Sequence, residues 1–143
     1  MKMMKNLMLL IAAMLLLLAG CSESTAPEVS YDLQNTQWRL RSILEGGAYL
    51  VVPGNELHTL EFSDSLTFQG KSDCQDYGGH YVVRDPNGIG VLDVYSTLNL
   101  CADGSLNPQY LNALAHARAY QVGEERLFIY YNTGDDLLIF QPK

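Results

Sequence analysis

The chain has 143 residues, 48% of them apolar, and a formal net charge of −7, enough for one globular domain and hardly two. Lys2 and Lys5 are two of its 9 basic residues, so the 123 residues after position 20 carry 16 acids against 7 bases. That balance excludes non-specific nucleic-acid binding, which needs basic groups to displace counterions, and it argues against docking on anionic lipid by charge alone.

From Leu7 to Ala19 the chain is uncharged and apolar. A spanning helix needs about 20 such residues, so this run behind two lysines reads as a secretory signal over residues 1–20. Its exit, Leu18-Ala19-Gly20-Cys21, resembles the bacterial lipobox, at which the signal is cut before the cysteine and the cysteine is acylated. Several acyl chains on Cys21 would make the bilayer a stable partner, which one chain does not. Ser22 follows where an aspartate would favour inner-membrane retention. By resemblance to enteric sorting, the expected address is the outer membrane, facing the periplasm. Residues 21–32 are polar and aperiodic and read as a flexible tether.

The body of the chain, residues 33–143, opens with a strand over Thr36–Leu44. Alternation puts Trp38, Leu40 and Ser42 on one face and Arg39, Arg41 and Ile43 on the other. Gly46-Gly47 ends it. Leu57–Phe62 and Leu66–Gln69 form a hairpin around Ser63-Asp64-Ser65. His80–Val83 and Ile89–Thr97 flank Asp85-Pro86-Asn87-Gly88, where Asn87 or Gly88 suits positive φ. A helix follows over Pro108–Arg118, with Asn107 as N-cap and Tyr110, Leu111, Leu114, Ala117 and the stem of Arg118 on one face. Leu127–Tyr131 and Leu137–Phe140 make a closing hairpin. The pattern predicts a mainly β fold: a small antiparallel barrel or curved sheet of seven to eight strands with one packed helix. The expected core is Trp38, Leu40, Leu60, Phe62, Phe68, Tyr81, Leu92, Leu111, Leu114, Leu127, Ile129, Leu138 and Phe140.

With Cys21 assigned to lipid, Cys74 and Cys101 remain as one pair for an oxidising compartment. A bridge across that spacing stabilises by roughly 3–4 kcal/mol. The alternatives are two buried thiols, or a metal site using Cys74, Asp73, Asp76 and His80. The metal alternative lacks both Cys-x-x-Cys and a paired-histidine spacing. Asp73, Asp76 and His80 nevertheless crowd one polar stretch, with His80 near Asp76 as a general base that no local sequence ties to a nucleophile. His58 reads as a strand-edge cap and His116 as a solvated helix residue. No catalytic set, metal or cofactor is expected.

Five segments stand out: Asn35-Thr36-Gln37-Trp38-Arg39-Leu40; Leu60-x-Phe62 with Phe68-Gln69-Gly70; Cys74 leading to Tyr77-Gly78-Gly79-His80-Tyr81; Thr97-Leu98-Asn99-Leu100-Cys101; and Tyr110, Leu114 and Tyr120 followed by Leu127-x-Ile129 and Leu137-x-x-Phe140. Together they resemble the META domain (HslJ-like) family. The family's glycine and asparagine around the loop cysteine are Asp73 and Gln75 here, so no site built on Gly-Cys-Asn is carried over. The resemblance implies a small barrel with one helix, membership that includes lipoproteins linked to stress tolerance, and no established enzymatic activity. The related architecture of secretin pilot lipoproteins has an apolar cleft. The leading expectation is a non-catalytic envelope module acting through an envelope protein partner. An acyl chain held in a barrel cleft is the alternative, and a hydrolase or metal enzyme at Asp73, Asp76 and His80 the distant one.

Overall fold

A computed structural model describes residues 31–143 except Glu56. The signal segment, Cys21 and the tether to residue 30 lie outside the described residues. The elements are β1 (Gln37–Glu45), β2 (Ala48–Val51), β3 (Thr59–Phe62), β4 (Thr67–Lys71), β5 (Asp76–Arg84), β6 (Gly88–Ser96), α1 (Asn107–Ala115), β7 (Ala117–Val122), β8 (Leu127–Tyr131) and β9 (Leu137–Pro142). All neighbouring strands run antiparallel, and β1 pairs with both β3 and β9, which closes eight strands into a barrel. The short β2 is a ninth strand on the second half of β1, outside the closed ring. It was not expected, because Gly46-Gly47 reads as a break. Both glycines take positive φ, 58° and 81°, and turn β1 directly back into β2.

One irregularity decides the face of β1. Against β9 the register slips between Leu40 and Ser42, so Arg41 is an extra residue. An inserted residue inverts the alternation beyond it. Trp38, Leu40 and Ile43 therefore all face the core, and Ser42 does not share it, contrary to the simple period-two expectation. On β6, Val91 pairs with Tyr81 and is buried, while Leu92 pairs with His80 and is exposed. Leu92 is thus removed from the expected core. Ile43, Ile89, Tyr77, Tyr110 and Tyr131 join it.

The helix is shorter than Ala113, Ala115 and Ala119 suggest. It ends at Ala115, and Ala117 already pairs with Tyr131 in β7, so sheet pairing overrides local propensity. Asn107 is no N-cap; Leu106 holds that place without a side-chain bond, and Asn107 is buried in the first turn. The buried face is Asn107, Tyr110, Ala113 and Leu114, with Leu111 half-buried. The turn after β5 contains a cis Asp85–Pro86 peptide, and neither Asn87 nor Gly88 has the positive φ expected there.

An eight-stranded barrel is just wide enough for side chains to fill. Here Trp38, Phe62, Tyr81, Tyr110, Tyr131 and Phe140 are all fully buried within the domain, so the protein's own aromatic rings take the space an acyl chain would need. The near end of the barrel is where residues 31–36 join. There Trp38 Nε1 donates to Leu33 O at 3.1 Å, and Gln34 Nε2 donates to the Tyr81 hydroxyl at 2.6 Å. That hydroxyl donates in turn to Ser63 O at 2.6 Å. Tyr31, assigned to the tether by sequence, lies with its ring 6.2 Å from Trp38. The far end carries the loops 72–75 and 97–105 together with α1, which packs on β6, β8 and β9.

Candidate functional site

At the far end a disulfide joins Cys74 to Cys101, with Cα atoms 5.3 Å apart. It ties the loop before β5 to the loop after β6. Two hydrogen bonds repeat the tie: Gln75 Nε2 donates to Asn99 O at 2.8 Å, and Asn99 Nδ2 donates to Cys74 O at 3.2 Å. Ser72 organises the first loop from below, its hydroxyl accepting from the backbone N–H of Cys74 and of Gln75. Asn107 reaches from α1 to donate to Gln75 Oε1 at 3.2 Å. A loop that would otherwise be loose is held at both ends.

The three polar residues singled out by sequence do not converge. Asp73 faces His58 at 3.5 Å, Asp76 pairs with Lys71 at 3.3 Å, and His80 faces Asp93 across the hairpin at 3.8 Å. The reason is secondary structure. Asp76 and His80 belong to β5, and four residues along a strand separate them by about 13 Å. The proximity that a loop would have allowed is lost. Among the described residues no three His, Cys, Asp or Glu side chains are grouped to hold a metal ion. His116 is exposed as expected, but His58 is no edge cap: it is fully buried, its ring edge-on to Tyr110 at 5.3 Å.

Below the loops lies a polar cluster that sequence reasoning missed. The Tyr77 hydroxyl donates to Thr59 O and meets the Tyr110 hydroxyl at 2.5 Å. Gly70, opposite Tyr77 in β4, leaves the room: a Cβ there would collide with the Thr59 carbonyl and the Tyr77 hydroxyl. Burial pushes both phenols well above their ordinary range, and in Tyr77 the neighbouring Tyr110 adds to it. Two neutral, hydrogen-bonded phenols sealed from solvent position the core. Tyr-x-x-x… spacing gives no hint of the pair, since 33 residues separate the partners.

Two features of this end face solvent. The first is the loop itself, in which Leu98 and Leu100 are each 99% exposed. The second is a groove of about 470 Å³ across the outside of β1, β3, β4, β5 and β6. Register aligns Gln37, Glu61, Gln69, Gly78 and Tyr95 in one cross-strand row along it. Lys71, Asp76, Ser96 and Thr97 line its far-end side, with Leu60, Gly70 and Tyr77 completing it. A Cβ on Gly78 would strike the Tyr95 ring, so Tyr95 lies over the bare backbone of Gly78.

Residues 31–143 match the META domain. The chain belongs to the META domain family. A solved structure similar to this META barrel is the NMR structure of a protein from Burkholderia xenovorans, with 25% identity and a TM-score of 0.65 over 87% of this chain and 96% of that one. A second NMR structure has 14% identity and a TM-score of 0.58 over 76% and 89% of the two chains. A DUF4847 family protein from Bacteroides vulgatus ATCC 8482 has 15% identity and a TM-score of 0.50 over 59% and 57%. These last two likenesses are to the fold. No curated protein matches the META chain. Among its described residues no helix is long and apolar enough to cross a membrane.

Proposed function

We propose that this META barrel is a non-catalytic lipoprotein of the bacterial envelope that supports envelope integrity or stress tolerance by docking a partner protein on the Leu98–Leu100 loop. The observation that carries the reading is the exposure of both leucines on a loop held by a disulfide and two hydrogen bonds. Exposed apolar side chains on a pinned loop cost little ordering entropy when they bind, which suits an anchor inserted into a pocket. Leu18-Ala19-Gly20-Cys21 supports acylation, and the absence of an aspartate after Cys21 supports the outer membrane, facing the periplasm.

Charge favours a protein over the anchoring bilayer as the occupant. Asp73, Asp76 and Asp103 stand in the segments around the leucines, and anionic headgroups would repel them. The fitting pocket therefore has an apolar floor and a basic rim.

The test is a photo-cross-linking side chain at position 98 of the full chain in living cells, with the same group at Val83 near the other end as control. A discrete protein adduct from position 98 alone, abolished by Leu100→Ser and reproduced with the purified partner, is the expected result. Adducts to lipid only, or the same adducts from both positions, would overturn the docking reading.

A further inference from the structure

The groove on the barrel wall meets the leucine loop at Thr97, but its central row lies on the strands and makes its own demand. Gln37, Glu61 and Gln69 form its central row, and none of these side chains has a hydrogen-bond partner among the described residues. Strand spacing sets them about 4.8 Å apart, so they offer a regular ladder of planar groups. Each amide both donates and accepts, and the carboxylate accepts. At the end of the row stands Tyr95, 65% exposed, its ring laid over Gly78. A phenol so placed presents an apolar edge and a polar tip together.

Charge narrows the choice. Lys71 and Asp76 are paired at 3.3 Å on the groove's side, which leaves the carboxylate of Glu61 as the one uncompensated charge of the lining. An anion would meet that carboxylate, and a polycation would find a single negative site. A purely apolar ligand would strip water from unpaired amides without replacing their hydrogen bonds. The occupant that satisfies a ladder of planar donors and acceptors ending in an aromatic ring is neutral, rich in hydroxyls, and patterned at about one sugar ring per strand. The cavity, about 470 Å³, falls within the roughly 300–1,000 Å³ of small-ligand sites.

We infer that this groove binds a neutral oligosaccharide, lying across the strands with one ring against Tyr95 and its hydroxyls on Gln37, Glu61 and Gln69. The inference does not depend on the docking loop, since no residue of the row belongs to it.

The test uses the full chain in a detergent without sugar headgroups, titrated with chitotriose, cellotriose and maltotriose, and separately with trilysine and inorganic phosphate. Backbone amide shifts are followed by NMR. Saturable shifts confined to Gln37, Glu61, Gln69 and Tyr95 with at least one trisaccharide are expected. Affinity should fall about tenfold in Tyr95→Ala, remain within a few-fold of the parent in Tyr95→Phe, and fall measurably in Gln69→Ala. Both Tyr95 and Gln69 are exposed, and an unchanged amide spectrum elsewhere verifies that each variant is folded. No saturable shift with any trisaccharide, shifts elsewhere on the barrel, or binding of trilysine or phosphate in their place would overturn the inference. Loss of the cross-link at position 98 would leave this result untouched, so the two proposals fail separately.

Discussion

The two ends of the barrel are built on different principles. The near end is closed by packed rings and a short relay from Gln34 through Tyr81 to Ser63, with Trp38 bonded to Leu33 beside it. Its turns are short and its strands register cleanly. The far end buries His58, Ser72, Thr59 and Asn107 and carries a long loop without regular structure between β6 and α1. Buried polar groups are expensive unless each finds a partner, so that end depends on specific bonds and a covalent tie. The comparison teaches where function can sit: a rigid, apolar end holds the fold, and a stapled, polar end is free to present a surface.

Four measurements break or sharpen this contrast. The largest effect belongs to the near end. Trp38→Ala opens a cavity at a fully buried position and should cost about 3–5 kcal/mol, read as a lowered midpoint in denaturant. A cost under 1 kcal/mol would mean the near end does not hold the fold. Next comes the staple. Replacing both Cys74 and Cys101 by serine should lose about 3.5 kcal/mol for a loop of 27 residues. Hydrogen exchange should then rise in residues 97–105 and stay slow around Trp38; uniform acceleration would erase the distinction between the ends.

Third is the phenol pair. Tyr110→Phe removes the contact to Tyr77 and should cost about 1–2 kcal/mol at neutral pH. The buried tyrosines also set a pH dependence. Burial first, then the charges of Glu45 and Asp136, raise Tyr131 to about 12 from its ordinary 10.0. Tyr77 and Tyr110 move in the same direction. An acid whose folded value is raised contributes stability that is complete below the unfolded value and is lost as pH climbs through the folded one. Stability should therefore hold to about pH 9–10 and fall steeply towards 12, less steeply in Tyr110→Phe. A flat profile up to pH 12 would contradict the burial of these hydroxyls. The smallest effect is at the surface: Leu98→Ser with Leu100→Ser should change stability by under about 0.5 kcal/mol, because neither side chain is buried. A larger loss would show the loop to be part of the core and not a presented surface.

Much of the architecture was legible in the residues. Period-two runs located seven of the nine strands, missing β2 behind Gly46-Gly47 and β7, whose start was read as helix; Pro108 and the spacing of Tyr110 and Leu114 located the helix, and turn residues located the hairpins. What misled was local: Leu92 looked like core, Ser42 like an inward residue, and Arg118 like helix. Each was reassigned by pairing with another strand, and the bulge at Arg41 in particular has no signature in the nine residues around it. The candidate site was less legible still. Asp73, Asp76 and His80 drew notice because they are close in sequence, yet extended backbone separates them.

By itself, the sequence determined the alternation of most strands, the single amphipathic helix, the acidic balance and the resemblance to the META family, because these depend on neighbours within a few positions. Tertiary structure alone decided that Gln37, Glu61, Gln69 and Tyr95 stand in one row, that Tyr77 meets Tyr110, and that Leu98 and Leu100 face water. Those relations join residues up to 58 positions apart, and only the register of a closed barrel brings such residues together.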